Sequence, residues 1–352
     1  MCNQVRPVRE ELLTDELIGE ETDLKGLELA RQFYETVGEP MLKRTFPNYT
    51  DRIAAGLVGE GSECFGFDDE ISRDHDFGAR FCIWLPADIY HMVGNRMRQA
   101  YEELPNTFRG FPVLKEAAAG GARRSGVFSI ESFYRQILGG SLLLEKETDW
   151  FHLKESTLAA ATNGMVFTDP AGLFSTFRNK LLGYYPENVR LKKMSVCLAY
   201  MAQTGQVNYA RSMRRKDLFT AEICVSEFVR AALSVLYLLN RRYMPYYKWA
   251  LTGLRNAHVL SQTVLLLEEL RQTRPQSAAW ESRDLMDTSL NFHDRNVELI
   301  EEICGQIAQE LIRQKISDSP EKFLNVQFLQ VHSRITSEEI REIPVRMPEY
   351  MI

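Results

Sequence analysis

The sequence predicts an α+β protein, with a small N-terminal mixed sheet covered by helices and an all-helical bundle after it. Two observations lead to this prediction. Short apolar runs alternate with helical patterns up to about residue 150, and long helical patterns dominate beyond it. We therefore expect a first domain at residues 1–150, a helical bundle at 151–330 and an extended tail at 331–352.

In the N-terminal half, apolar spacing distinguishes helices from strands. Residues 23–46 repeat apolar side chains about one helical turn apart, which predicts a helix. A second helical pattern lies at 87–104, after Pro86, which ends the strand predicted before it. Short apolar runs bounded by glycine, proline or charged residues predict three strands, at 52–60, 76–85 and 127–133.

The C-terminal half is predicted to be helical. Its four long patterns lie at 188–205, 219–243, 254–274 and 291–314. The pattern at 219–243 is almost continuously apolar, which is typical of the central helix of a bundle. Gly205 is the expected end of the first of these helices. Pro344 and Pro348 favour an extended tail.

Composition narrows the class of protein. The chain of 352 residues is 45% apolar and 26% charged, with a net charge of −6, which argues against a protein that coats nucleic acid by charge alone. No apolar run approaches the ~18 residues of a membrane span, and the acidic N-terminus does not read as a signal peptide. The six cysteines are scattered and predict reduced thiols in a cytoplasmic protein.

The stretch "GEGSECFGFDDEISRDHDFG", residues 59–78, combines glycines and carboxylates between two predicted strands. Asp74 and Asp76, at the start of a strand, would project from one face and repel each other unless a cation lies between them. Mg²⁺ is suited to such carboxylates together with phosphate oxygens. Gly61 and Ser62 would let a phosphate approach the backbone and the hydroxyl.

This acidic stretch therefore predicts a site for a metal-bound nucleoside triphosphate. The alternative is a solvated acidic turn. We expect Asp68, Asp69 and Glu70 to be solvated loop acids in either case.

A second group of chemically active residues is "NRRYMPYYKW", residues 240–249. Arginine forks such as that of Arg242 match phosphate, and flat rings such as Tyr246 can stack on a base or a sugar, with Lys248 beside them. The alternative is a helix C-terminus whose basic residues favour the helix dipole and whose aromatic rings seal the bundle. Upstream, Lys193 lies in a basic cluster with Arg190 and Lys192 that could reach a triphosphate or form an exposed helix face.

Gly-Ser followed by Asp-x-Asp on a strand resembles the nucleotidyltransferase superfamily of the polymerase-beta type, which includes aminoglycoside nucleotidyltransferases and tRNA-end-adding enzymes. Together with "RRYMPYYKW", the chain more closely resembles a bacterial family of that superfamily described only as a domain of unknown function. The resemblance covers roughly residues 25–275. It implies a small catalytic sheet domain followed by a helical domain that closes over the nucleotide and presents the acceptor.

The resemblance implies a role for each matching residue. Gly61 and Ser62 would contact the phosphates, and Asp74 and Asp76 would be the metal ligands. Enzymes of the superfamily commonly add a third carboxylate from a later strand, and Glu131 is the best candidate for it. A helix N-terminal acid after the strand is an equal alternative for Glu131.

The resemblance also implies an enzyme that transfers a nucleoside monophosphate to a hydroxyl group. Its cofactor would be Mg²⁺ or Mn²⁺, and ATP or another nucleoside triphosphate would be its co-substrate. The acceptor stays open among a small molecule, a protein and an RNA. The alternative is a non-catalytic module on the same fold that binds a nucleotide or a partner.

Overall fold

The computed structural model describes residues 24–74, 77–115, 123–140, 142, 144–281, 284 and 286–345, without the side chain of Asp74. The chain forms two compact units. The sheet unit runs to Ser129 and regains Gly164–Gly172, and the helical unit comprises Ile130–Asn163 and the chain from Leu173 onward. The architecture confirms the predicted α+β class. The boundaries of these two units differ from the boundaries of the predicted domains. The predicted domain boundaries stay predictions.

Six short strands lie within the described residues of the sheet unit. They are β1 (Ala54–Leu57), β2 (Cys82–Leu85), β3 (Thr107–Phe108), β4 (Phe111–Pro112), β5 (Gly126–Ser129) and β6 (Met165–Thr168). Four of them form one sheet in the order β5-β2-β1-β6, and β3 pairs with β4. β1 is antiparallel to both its neighbours and β2 is parallel to β5, so the sheet is mixed as predicted.

In the part of this unit that the structure describes, four α-helices accompany the strands. They are α1 (Gly26–Phe33), α2 (Glu39–Thr45), α3 (Ser62–Phe65) and α4 (Ala87–Glu102). The π-helical turn Tyr34–Gly38 joins α1 to α2, so the helix predicted over 23–46 is one helical stretch with an internal change of pitch. Pro86 caps α4 at the predicted position, since proline is tolerated before the first helical turn.

Phe81, the residue before β2, lies at the centre of the core of the sheet unit. Its ring centroid is 5.5 Å from that of Phe33 and 5.4 Å from that of Tyr34. The buried Tyr101 hydroxyl of α4 donates to the Phe81 carbonyl at 2.8 Å. Helices α1 and α4 are thereby both fixed against the entry to β2, at the end of the sheet where the acidic stretch begins.

Strand β6 was not expected from the sequence. It enters the sheet beside β1 after a helical excursion of the chain through residues 130–163. At Gly56 a Cβ atom would collide with the Met165 carbonyl, so only glycine lets the two backbones approach this closely. The register shifts between Ala55 and Gly56, a bulge that bends the pairing at the same place.

The second half of the chain is mostly helical, as predicted, and the strand β6 is the exception within the predicted all-helical range 151–330. Its helices are α5 (Ile130–Leu138), α6 (Glu147–Phe151), α7 (Glu155–Thr162), α8 (Leu173–Leu182), α9 (Glu187–Met201), α10 (Ala210–Arg214), α11 (Leu218–Leu239), α12 (Tyr247–Ala250), α13 (Ser261–Gln272), α14 (Arg295–Arg313), α15 (Leu324–Ser333) and α16 (Glu338–Glu342). The apolar α11 packs against α9 and contributes a continuous set of buried side chains. Among the described residues, no helix is both long and apolar enough to cross a membrane.

Two local expectations for this unit are corrected. Gly205 does not end a helix but lies inside the π-helical segment Ala202–Tyr209, because its missing side chain makes room for the Phe228 ring. The part of the chain predicted as an extended tail contains α16, whose Arg341 carbonyl accepts a hydrogen bond from Lys192 Nζ at 2.9 Å.

The five cysteines among the described residues lie in the cores. Cys64, Cys82, Cys197, Cys224 and Cys304 are all buried, and none of these five forms a disulfide. They behave as small apolar side chains, as expected.

Candidate functional site

The segment that leaves β1 and the segment that enters β2 lie at the same end of the sheet. In the antiparallel pairing of β1 with β2, Gly56 faces Cys82 and Ala54 faces Trp84. The chain that leaves β1 after Leu57 is therefore beside the chain that enters β2 at Cys82. Gly61 and Ser62 lie in the first of these segments, and the segment carrying Asp74 and Asp76 leads into the second.

The turn at Gly61 is one that only glycine adopts readily. Gly61 has a φ of 143°, and a Cβ atom there would collide with the carboxylate of Glu63. Gly59, with a φ of 130°, opens the chain in the same way two residues earlier. Ser62 begins the short helix α3 and is half-buried. The turn thus keeps backbone rather than side chain at the predicted phosphate position.

An ion pair between Glu63 and Arg80 joins the two segments at this end of the sheet. The Glu63 side chain is 12% exposed and that of Arg80 is 5% exposed. Burial acts to lower the pKa of Arg80, but the Glu63 carboxylate more than offsets it and raises that pKa above its usual value. The charge of Glu63 beside Gly61 is therefore balanced by a permanent cation, which lessens its repulsion of an incoming phosphate.

Asp68 is not the solvated loop acid that the sequence predicted. It is buried, and its Oδ2 accepts a hydrogen bond from the backbone N–H of Gly26 at 2.8 Å. Gly26 is the first residue of α1, and the capping residue Lys25 offers that helix no side-chain hydrogen bond. Asp68 therefore caps α1 from 42 residues away. Asp69 and Glu70 are exposed, as predicted.

The structure changes the argument for Asp74. Asp74 ends the 3-10 turn Ile71–Asp74, and β2 begins only at Cys82, so the shared strand face expected for Asp74 and Asp76 is wrong. The Asp74 side chain, His75 and Asp76 lie outside the described residues. Among the residues described, no group of three or more carboxylate, imidazole or thiol side chains is placed to hold a metal. The metal-ligand role of Asp74 and Asp76 stays a prediction.

Glu131 lies on a helix. β5 ends at Ser129, and α5 begins at Ile130, so the strand predicted over 127–133 is too long. Glu131 is exposed in the first turn of α5, within the helical unit. This is the position of the alternative interpretation, an acid that favours the positive end of a helix dipole. Its role as a third carboxylate stays a prediction.

The predicted basic cluster on α9 is buried. Arg190, Lys192 and Lys193 are each at most 1% exposed, so the alternative of an exposed helix face is wrong. Lys193 Nζ donates to the Leu153 carbonyl at 3.3 Å and lies 5.3 Å from the ring centroids of Phe151 and Tyr185. Burial lowers the pKa of Lys193. In this structure Lys193 is an interior contact of the bundle rather than a surface ligand for phosphate.

The segment "NRRYMPYYKW" borders a cavity of the helical unit. The cavity has a volume of about 560 Å³, and Tyr246 and Tyr247 form part of its rim. Arg242 is exposed and donates to the Gly253 carbonyl at 2.7 Å, while Lys248 lies 4.9 Å from the ring centroid of Trp249. Of the predicted contacts in this segment, Tyr246 lines the cavity, whereas Arg242 and Lys248 do not.

Sequence reasoning missed the charged residues of this cavity, Glu155, Arg230 and Arg271. Glu155 begins α7 and is 3% exposed. An acid in the first turn of a helix is ordinarily solvated, so nothing in "LKESTL" indicates burial. Arg230 on α11 and Arg271 on α13 each lie near glutamates of the same helix, so the sequence presents them like any surface charge.

Comparison with protein families finds a match in the helical half of the chain. Residues 150–250 match the family model described as "Domain of unknown function (DUF4037)", which confirms the resemblance to a family so described. Most of the residues that line the cavity lie within the matched range. No curated protein matches the chain.

Among solved structures, the chain is similar to a nucleotidyltransferase-like protein from Exiguobacterium sibiricum 255-15. The sequence identity is 11% and the TM-score is 0.32, over 84% of this chain and 89% of that one.

Proposed function

We propose that the protein is a metal-dependent nucleotidyltransferase that moves a nucleoside monophosphate, AMP from ATP as the default, to a hydroxyl group of an acceptor. The observation that supports the proposal is the antiparallel pairing of β1 with β2, because Gly61 and Ser62 follow β1 in the sequence and Asp74 and Asp76 precede β2. The resemblance of this pattern to the polymerase-beta-type superfamily supplies the reaction.

The reaction is an in-line displacement at phosphorus. The acceptor oxygen forms a bond to the α-phosphorus, the bond from that phosphorus to the bridging oxygen breaks, and pyrophosphate leaves. The hydroxyl proton passes to a carboxylate, for which Glu131 is the proposed base. Ser62 and the backbone at Gly61 would hold the leaving phosphates in place, and most of the rate gain would come from positioning and electrostatics.

Carboxylate oxygens, such as those of Asp74 and Asp76, are the ligands that a divalent cation prefers. Asp74 and Asp76 would hold Mg²⁺ or Mn²⁺, which supplies neutralisation of the phosphate charge when bound. The turn fits the phosphates, because glycine backbone stands where a side chain would block them. Arg80 adds a fixed positive charge that balances Glu63 nearby.

Within the helical unit, Arg242, Tyr246 and Lys248 are proposed nucleotide contacts, and Lys193 would need to leave its buried position to become one. The acceptor class stays open among a small molecule, a protein and an RNA.

A second candidate function is non-catalytic binding of a nucleotide. The position of Glu131 on α5 favours it, because the resemblance implies a third carboxylate that comes from a later strand of the sheet. The two candidates differ in one respect that can be measured, which is transfer of the nucleotide.

The test combines binding and transfer. The full chain is titrated with α,β-methylene-ATP and Mg²⁺ in a calorimeter, and it is incubated with each α-³²P-labelled triphosphate, Mg²⁺ or Mn²⁺ and fractionated cell extract. The enzyme should attach label to one fraction, and a D74N/D76N variant should lose this transfer. The matched control is E70Q, an exposed acid of the same loop, which should retain it.

Binding of the analogue without label transfer from any triphosphate would favour the non-catalytic candidate. Transfer that survives in D74N/D76N would overturn the assignment of the metal ligands, and absence of nucleotide binding would overturn both candidates.

A further inference from the structure

The cavity of the helical unit has the size of a small-molecule site. Its volume is about 560 Å³, within the range of ordinary ligand pockets. Its lining includes the apolar and aromatic side chains of Leu233, Met244 and Tyr246 and the charged side chains of Glu155, Arg230 and Arg271. Apolar and aromatic side chains make most of the wall, with a few polar groups among them.

Glu155 contributes a buried acceptor with unused hydrogen-bonding capacity. Its side chain is 3% exposed, and its Oε2 accepts a hydrogen bond from Ser234 Oγ at 3.3 Å. Its Oε1 is buried and has no hydrogen-bond partner within the described part of the chain. A buried carboxylate oxygen without a donor is costly, which suggests that a donor arrives from outside the protein.

The charges around the cavity select the kind of donor. Arg271 donates to Ser226 Oγ at 3.3 Å, and no carboxylate of the described residues pairs with it, whereas Arg230 is paired with Glu227 at 3.1 Å. Burial raises the pKa of Glu155 to about 7, and the positive charge of Lys193 acts in the opposite direction. Positive charge of the protein therefore already lies near Glu155. This positive charge would repel a ligand ammonium, so the donor to Glu155 should be a neutral N–H or O–H. Arg271, which has no carboxylate partner among the described residues, suits an anionic group of the ligand.

The helix α11 sets the spacing of these groups. Ser234 of this helix donates to Glu155. Arg230 lies one helical turn before Ser234. Ser226, which accepts from Arg271, lies two turns before Ser234. At a rise of about 1.5 Å per residue, the positive side chains are about 6 to 12 Å from Glu155 along the axis. Two fused aromatic rings span a distance of this order, and they would lie against Met244 and the ring of Tyr246.

We propose that this cavity binds a flat aromatic acid that donates a neutral N–H or O–H to Glu155 and presents its carboxylate to Arg271 and Arg230. Nothing in the proposal depends on nucleotide transfer by the sheet unit. It assigns a ligand site to residues matched by the DUF4037 model, among which Tyr246 is also a proposed nucleotide contact.

The test uses three naphthalene probes and no nucleotide or metal. The full chain is titrated at about pH 8, where Glu155 is largely ionised, with 6-hydroxy-2-naphthoate, with 2-naphthoate, which lacks the donor, and with 2-naphthol, which lacks the acid. Binding is followed by probe fluorescence and checked by calorimetry. We expect the hydroxynaphthoate to bind ~10-fold more tightly than either of the other probes.

Two variants locate the binding. Glu155→Met should abolish the preference for hydroxynaphthoate over 2-naphthoate. Arg271→Met, at an exposed position, should weaken hydroxynaphthoate ~10-fold and leave 2-naphthol unchanged. The matched control is Arg274→Met, an equal change of charge three residues further along that does not line the cavity.

Equal affinity for the three probes, an equal loss in Arg274→Met and Arg271→Met, or no binding of hydroxynaphthoate at millimolar concentration would each overturn the proposal. If Glu155→Met fails to fold, the probe series on the wild type and Arg271→Met still decides. D74N/D76N should bind the probes like the wild type, so failure of the proposed transferase activity leaves this result intact.

Discussion

Asp68 offers a direct test of how the acidic stretch supports the fold. Its Oδ2 accepts the N–H of Gly26 at 2.8 Å, and both residues are buried. Replacing Asp68 by alanine leaves that N–H without a partner at the start of α1. Loss of a helix cap costs about 1 kcal/mol, with a range of about 0.5–2, and loss of the negative charge at a helix N-terminus costs about 0.3–1 kcal/mol.

We therefore expect Asp68→Ala to lower the free energy of unfolding of the sheet unit by about 1–3 kcal/mol. Asp68→Asn keeps an oxygen that can accept the hydrogen bond, so it should lose only the part due to charge. Urea denaturation followed by circular dichroism measures the change, and hydrogen exchange of the α1 amides shows where it occurs.

The control for this measurement is Glu70→Ala, because Glu70 is exposed in the same loop. An Asp68→Ala variant as stable as Glu70→Ala, with no faster exchange in α1, would show that the buried carboxylate does not act as a cap.

Three further predictions concern single interactions. Glu63→Gln removes the negative charge that Arg80 faces in its buried ion pair. It should lower the free energy of unfolding, measured by urea denaturation, by about 3–5 kcal/mol. A smaller loss in the double variant that combines Glu63→Met with Arg80→Met would confirm the pairing. Since burial raises the pKa of Glu155 from 4.5 to about 7, the folded state binds more protons than the unfolded state in that window, and the wild type should lose stability as pH rises through it. Thermal melts of Glu155→Gln should lack this decline, and parallel curves would contradict the burial argument. Gly205→Ala should cost about 1–3 kcal/mol in urea because its methyl group meets the Phe228 ring, and an unchanged midpoint would refute this packing.

Much of the fold was predictable because local patterns and tertiary packing agree. The apolar run of α11 and the proline before α4 have the same meaning in isolation and in the structure. The exact ends of strands were less predictable. The apolar pattern continued past Ser129, but the chain turns into α5 at Ile130, since an apolar residue suits the buried side of either element.

The misses share one physical cause, which is contact between residues far apart in the sequence. Asp68 has the local sequence of a solvated acid, and its partner Gly26 lies 42 residues away. Strand β6 is four residues long and lies between helices, so its pairing with β1 has no local signal. Glu155 is buried by α11, which lies more than sixty residues further along the chain. The glycine turn at Gly61 could be predicted from the motif, but the ion pair of Glu63 with Arg80 beside it could not.

The late arrival of β6 has a practical consequence for anyone who divides this protein. A fragment that stops near residue 150 keeps β1 and β2 but lacks the strand that covers the other edge of β1. The bared edge would offer open N–H and C=O groups to another chain, so such a fragment should self-associate. During synthesis the same edge of β1 stays unpaired until the segment Gly164–Gly172 has left the ribosome. The chain up to Ser129 is therefore not sufficient to complete the sheet unit.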